Sequence, residues 1–351
     1  MANGIPRPVT TTFHKQTLLD KLLAVDQDVA ARARVLAMEV DFRQRITQHV
    51  LTLPAANAQF SKFNTNPFVL LIYSLQKAYR HISQIESAIL PAKVFSSMET
   101  SAGRMVETVV LPIYGWEVVP SAMHSPNSVL DGKRLDGNVL RLATLKSGPR
   151  CLNDEMSENI ADAILTNHQT WAQAAGVSEI DFTYGVLYGT KRISNKKDWH
   201  ILRKIAEKLT GGTLITSPAG RWDCQFQKDG VTVTVTIRIG FDLWNYFGGT
   251  QRTFLEMCCS IIRACIIPSD VQPEDYPFAI VDLPAITSLA SVPQGYNVSL
   301  LQRSQLEWLF FVARHFCDEL REATNAIAYP LGQQAVPQAA EDPAPFGEDE
   351  D

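Results

Sequence analysis

Asp131 and Lys146 are an acid and a base that can act together on a phosphate, provided the fold brings them to one place. A carboxylate can hold a divalent cation, and an ammonium beside it can neutralise a phosphate oxygen and favour an ionised water. The stretch that carries both, residues 129–149 (VLDGKRLDGNVLRLATLKSGP), reads as a β-hairpin. Asp136-Gly137 is a two-residue type I′ turn signal, since both central positions of that turn need φ > 0. Beyond it, Val139, Leu140, Leu142, Ala143 and Leu145 make an apolar strand that stops at Ser147-Gly148-Pro149. A lysine ending a buried strand needs a partner, because an unpaired buried ammonium is costly. With the turn centred on Asp136-Gly137, Leu135 faces Asn138 and Asp131 faces Leu142. Opposed residues, and residues two apart, share a sheet face, so Asp131, Leu142, Thr144 and Lys146 project together.

This hairpin resembles the core of the PD-(D/E)xK nucleases, in particular the type II restriction endonucleases, which carry an Asp on one strand and (D/E)-x-Lys on the next. Two more stretches are similar to the subgroup that recognises split GG/CC sites. Residues 100–112 (TSAGRMVETVVLP) resemble its Gly-containing helix ending in an acid and Leu-Pro. Residues 184–202 (YGVLYGTKRISNKKDWHIL) resemble its Gly-Val-x-Tyr-Gly strand and basic segment, and Asn66-Pro67-Phe68 fits its start. The likeness runs in order from residue 66 to residue 249. It departs at Thr144, which stands where the family has an acid.

The resemblance implies Mg²⁺ as cofactor, with Asp131 as a ligand, Leu145 donating its backbone carbonyl, and Lys146 binding the scissile phosphate. A threonine hydroxyl brings no negative charge, so a second acid must come from elsewhere. Glu107 leads, because it sits in the matching helix just before Leu-Pro; Glu155 and Glu158, just beyond Lys146, are the runners-up. For DNA contacts the candidates are Arg150 and Asn153 after the catalytic strand, and Lys191, Arg192, Asn195, Lys196 and Lys197 in the basic segment.

Composition describes a globular chain of 351 residues, 46% hydrophobic and 20% charged, enough for a sizeable core. It has no apolar run long enough for a membrane span and no signal-peptide pattern, and its six cysteines form no C-x-x-C pair. A reducing cytoplasm without membrane attachment is the expectation. The net charge of −5 arises in the tail: residues 341–351 hold six acids and no bases, leaving 32 bases against 31 acids, or +1. Local basic surface, rather than the total, governs phosphate binding.

The helical pattern of residues 17–53 places an N-terminal helical segment at 1–60, which reads either as a cap on the core or as a dimerisation element. An endonuclease domain follows at 61–328, and an acidic, Pro/Ala-rich disordered tail at 329–351. Within the middle part, residues 68–75 read as a buried helix, 153–175 as a helix stopped by Gly176, and 231–239 as an alternating strand. Residues 252–266 and 300–327 read as two long helices. His124, His168 and His200 read as surface or packing residues, and Trp222, Trp244 and Trp308 as core. Strands interleaved with helices predict an α/β (α+β) fold. It has a mixed central sheet flanked by helices, with added N- and C-terminal helices; the resemblance makes that core restriction-endonuclease-like.

The function so predicted is Mg²⁺-dependent cleavage of both strands of duplex DNA at a short palindromic site, by a homodimer whose two-fold axis matches the site. A methyltransferase of the same specificity is then the functional partner. The rivals are a PD-(D/E)xK nuclease of repair or mobile elements, a catalytically inactive DNA-binding protein (favoured by Thr144), and a structural α/β protein.

Overall fold

Strand β8 (Val231–Ile239) shows how sequence alternation builds this fold: Val231, Val233, Val235, Ile237 and Ile239 are buried while the Thr and Arg residues between them are half-buried. A strand so patterned packs helices on one face and leaves a polar face opposite. The computed structural model describes residues 4–52, 67–78, 81, 84, 88–89, 102–120, 125–268 and 283–322. In it β8 lies in a seven-stranded mixed sheet ordered β2-β3-β4-β5-β8-β7-β6. The other strands are β2 (Glu117–Val118), β3 (Gly132–Asp136), β4 (Val139–Lys146), β5 (Glu179–Val186), β6 (Gly212–Thr216) and β7 (Asp223–Lys228). Strands β4, β5 and β8 are parallel; β2-β3-β4 and β8-β7-β6 run antiparallel on either side. The fold is therefore mixed α/β.

One face of the sheet buries Leu140, Leu142, Phe182, Tyr184, Val233 and Val235 against α5 (Asp154–Ala175) and α6 (Lys197–Lys208). Helix α5 connects β4 to its parallel neighbour β5. Asn153 caps it by accepting from the Met156 N–H at 2.8 Å, and Gly176 ends it at φ 69°. The other face holds α4 (102–113), α7 (Phe241–Gly248) and α8 (Thr253–Cys265), with Ala143 and Leu145 of β4 in the same cluster.

The N-terminal helices α1 (Lys15–Gln27) and α2 (Val29–Thr52) belong to that same cluster through Leu18, Leu22, Val35, Met38 and Phe42. Arg34 of α2 donates twice to buried Glu256 of α8, at 2.6 and 2.7 Å, and the Tyr114 hydroxyl beyond α4 donates to the same carboxylate at 2.6 Å. The helical segment thus anchors the end of α4. Asp28 separates α1 from α2, its carboxylate accepting from the Ala30 and Ala31 N–H groups.

Several expectations need correction. The helix α3 (Pro67–Gln76) forms where Asn66-Pro67 announces it, but its apolar face is uncovered, with Leu71 67%, Ile72 68% and Leu75 84% exposed. The helix expected over 300–327 ends early, as α10 (Arg303–Arg314), after the short α9 (Leu283–Thr287). The chain then forms β9 (Glu319–Arg321), which pairs in parallel with β1 (Thr12–His14), so the N-terminal arm is tied to the C-terminal part. Trp308 is 39% exposed rather than core. His168 is buried with a backbone partner at Leu165, and His200 lies 3.2 Å from Asp154. His124 and the 329–351 tail lie outside the described residues. Among the described residues no helix is long and apolar enough to cross a membrane.

Candidate active site

The hairpin forms, but its register differs from the expected one. Asp136 pairs with Val139 and Gly132 with Ala143, so Gly137 and Asn138 are the central turn residues. Gly137 has φ +60°, whereas Asp136 and Asn138 keep negative φ. A glycine at the first central position suits a type II′ turn, and no side chain is forced into the left-handed region. The ladder, shifted by two residues, ends at Gly132–Ala143, and the Asp131 N–H donates to the Ala143 carbonyl at 2.8 Å, one residue off that register. Asp131 thus lies nearer the Lys146 end of β4 than the expected pairing with Leu142 puts it.

At this end β3 is shorter than β4, and the Leu145 N–H has no β3 backbone to meet. The Asp131 carboxylate replaces it, accepting from the Leu145 N–H at 2.6 Å. In an antiparallel ladder a residue directs its N–H and C=O toward the same neighbour. The Leu145 carbonyl therefore leaves the strand on the Asp131 side. The next residue turns the other way, the Lys146 carbonyl accepting from the Leu187 N–H at 2.9 Å.

Helix α4 brings Glu107 to the same place. Val109, Val110 and Leu111 are fully buried beneath the sheet, and Gly132 lets the helix come close, whereas Gly103 leaves room for ordinary contact. A Cβ on Gly132 would lie 3.1 Å from Leu111 Cδ1, and one on Gly103 would lie 3.4 Å from Ser147 Cβ. The Glu107 carboxyl is pushed up to about 7, first by burial and then by the negative charge of Asp131, with Lys146 and Arg104 opposing. Burial also raises Asp131, against the pull of the Leu145 N–H, Lys146 and Arg104. Two acids and two bases, three of them expected and Arg104 not, thus share one electrostatic site. The signal for Arg104 is its position one helical turn before Glu107.

The two alternative acids are placed differently. Glu155 is exposed in the first turn of α5, and Glu158 pairs with Lys208 at 2.7 Å and Lys204 at 3.6 Å, which hold its carboxyl below the ordinary value. Thr144 is buried, and its hydroxyl donates to the Val129 carbonyl. No protein-family model matches this chain, and no curated protein matches it.

Among the described residues no group of three or more His, Cys, Asp or Glu side chains is arranged to hold a metal. The site instead offers Asp131, Glu107 and the Leu145 carbonyl. That set suits a hard cation such as Mg²⁺, which uses one or two carboxylates and retains several waters. It does not suit a closed cage of protein ligands.

The predicted DNA-contact residues are largely occupied in holding a loop. Lys196, at φ 64°, turns its ammonium back onto the carbonyls of Lys191, Arg192 and Ser194. Lys197 donates to Asp154 at 2.7 and 2.8 Å, and Asn195 to the Leu152 carbonyl at 3.0 Å. Lys191 pairs with Asp242, Arg192 donates to Thr10, and Arg150 donates to the Ile193 carbonyl. Asn153 is the α5 cap. Arg150, Arg192 and Asn195 keep exposed side chains; Lys191, Lys196 and Lys197 are half-buried.

Proposed function

We propose that this chain is a metal-dependent nuclease of duplex DNA, similar in its site to the PD-(D/E)xK enzymes. The observation that carries the reading is the Asp131 carboxylate bonded to the Leu145 N–H, its charge acting on Glu107 while Lys146 acts on both carboxyls. Asp131, Glu107 and the Leu145 carbonyl would hold Mg²⁺. That ion would lower the pKa of a bound water and supply a charge to offset the developing alkoxide. Lys146 would bind a non-bridging oxygen of the scissile phosphate and keep the attacking water deprotonated. The Leu145 N–H orients Asp131, and Arg104 adds a second positive charge for the phosphate.

The finer reading is a type II restriction endonuclease: cytoplasmic, cutting a palindromic site as a homodimer, with a methyltransferase protecting the same site. Incubation with a sequenced plasmid and Mg²⁺, followed by mapping of the ends, tests it. Discrete ends at one repeated sequence support it, and scattered ends leave a nuclease without site specificity. A second reading rests on Thr144, whose hydroxyl is committed to Val129 where the family has an acid. Tight DNA binding with no metal-dependent cleavage would establish that inactive form.

A further inference from the structure

Across the sheet, on the face opposite α5 and α6, runs a row of polar residues that the site above does not use. Arg134 of β3 lies opposite Arg141 of β4, which pairs in turn with Asp181 of β5, Thr234 of β8 and Gln225 of β7. These side chains are half-buried, and Gln225 donates to the Thr234 hydroxyl at 3.0 Å. Arginines alternate with aromatic rings along this face. Arg134 lies 5.7 Å from the Trp116 ring, Trp116 is 5.8 Å from Tyr246, and Tyr246 is flanked by Arg141 at 5.5 Å and Arg238 at 4.1 Å.

The charges do not balance. Asp136 serves both Arg134 and Arg141, each at 3.0 Å, and Asp181 is taken by the Tyr246 hydroxyl at 2.7 Å. Among the described residues no carboxylate lies within ion-pairing distance of Arg238, whose guanidinium lies over the Tyr246 ring. The Nε–H groups of Arg141 and Arg238 are shielded from solvent without a hydrogen-bond partner. Shielded, unpaired donors are costly, and a small turn of each side chain toward an anion removes the cost.

We propose that this face binds the phosphate backbone of duplex DNA, with Arg238 and Arg141 as its anchors. The inference rests on the nuclease reading for its choice of ligand. The row from Arg134 to Gln225 crosses five strands, about 19 Å, which fits an extended polyanion rather than a small molecule. Threonine and glutamine beside arginine are the donors that phosphate oxygens accept from. Arg238 also shares a cross-sheet row with Gly185 and Leu145, the residue that holds Asp131. Its backbone is two strand spacings, about 10 Å, from Leu145, the axial rise of about three nucleotides of one strand.

The test uses the full chain carrying Asp131→Asn and a fluorescent duplex of arbitrary sequence, titrated over a range of salt without metal. Adding Arg141→Gln and Arg238→Gln should weaken binding at least tenfold and reduce the salt slope by about 2, with the melting temperature retained. Arg238→Lys should restore part of the slope. A measurement independent of those variants is phenylglyoxal modification of the Asp131→Asn chain, in which duplex DNA should slow labelling of Arg238. Unchanged affinity and slope in the folded double variant, absence of DNA protection at Arg238, or preference for duplex RNA would each overturn the proposal. The nuclease reading fails separately: wild-type protein that binds DNA through Arg238 yet never cuts it with Mg²⁺ sinks that reading and leaves this surface standing.

Discussion

Asp131 and Asp136 are both followed by glycine, yet the structure gives them different surroundings. Asp131 is half-buried and holds the Leu145 N–H, whereas Asp136 is exposed and holds Arg134 and Arg141 at the far end of the hairpin. Position 139, which pairs with Asp136, is seven residues from Lys146, or about 23 Å along an extended strand. Asp131→Asn should therefore abolish Mg²⁺-dependent cleavage while DNA binding survives. Asp136→Asn should keep most activity with a small loss in melting temperature; the reverse pattern in a plasmid assay would sink the site assignment.

Glu107 yields a pH prediction with a definite sign. Its folded carboxyl is raised to about 7, so the folded state binds the proton more tightly than the unfolded chain. The associated stability is present below the ordinary carboxylate range and is lost as pH rises from there through about 7. Glu107→Gln should then raise stability at pH 8 by about 1–2 kcal/mol, after discounting for partial solvent screening, and change little at pH 4. Thermal melts at the two pH values check this. The same variant should lose cleavage, and wild-type cleavage should increase with pH through about 7, because a metal must displace that proton.

At the scale of elements, the site depends on how closely β4, β5 and the helices beneath them approach. A Cβ on Gly185 would meet Leu243 Cδ1 at 2.6 Å and Leu145 Cδ2 at 2.7 Å. Gly185→Ala should cost about 1–3 kcal/mol by overpacking and displace Leu145, whose N–H positions Asp131. Urea unfolding should show the loss, and activity should fall even where the protein remains folded. The loop before α6 is held by Lys196, whose ammonium collects three backbone carbonyls. Lys196→Ala should cost about 1–3 kcal/mol, as hydrogen bonds from a charged donor do. A Lys196→Ala protein with unchanged stability and weakened DNA binding would instead make that lysine a direct contact.

Over the whole molecule, the N- and C-terminal parts of the chain support the hairpin from behind. β1 pairs with β9, and Arg34 of α2, Tyr114 after α4 and Glu256 of α8 meet in one buried cluster. On the proposed reading, two copies of Asp131 related by a two-fold axis would cut the two strands of a palindrome. Sedimentation of the protein with a duplex carrying its site should then show two chains per duplex, and one chain per duplex would remove the symmetric arrangement.

The sequence by itself determined what depends on local pattern. The hairpin, α5 with its Asn153 cap and Gly176 stop, and the alternating strand 231–239 were legible because periodicity and capping are encoded within a few neighbouring residues. Only the tertiary structure decided the register. Asp229-Gly230 makes a turn with both residues at positive φ, whereas Asp136 is kept in its strand by Arg134 and Arg141, and the same dipeptide reads identically in both places. The inclusion of Arg104 and the folding back of Lys196 also lay beyond the sequence. Each depends on electrostatics and packing between segments far apart in the chain, which local patterning does not record.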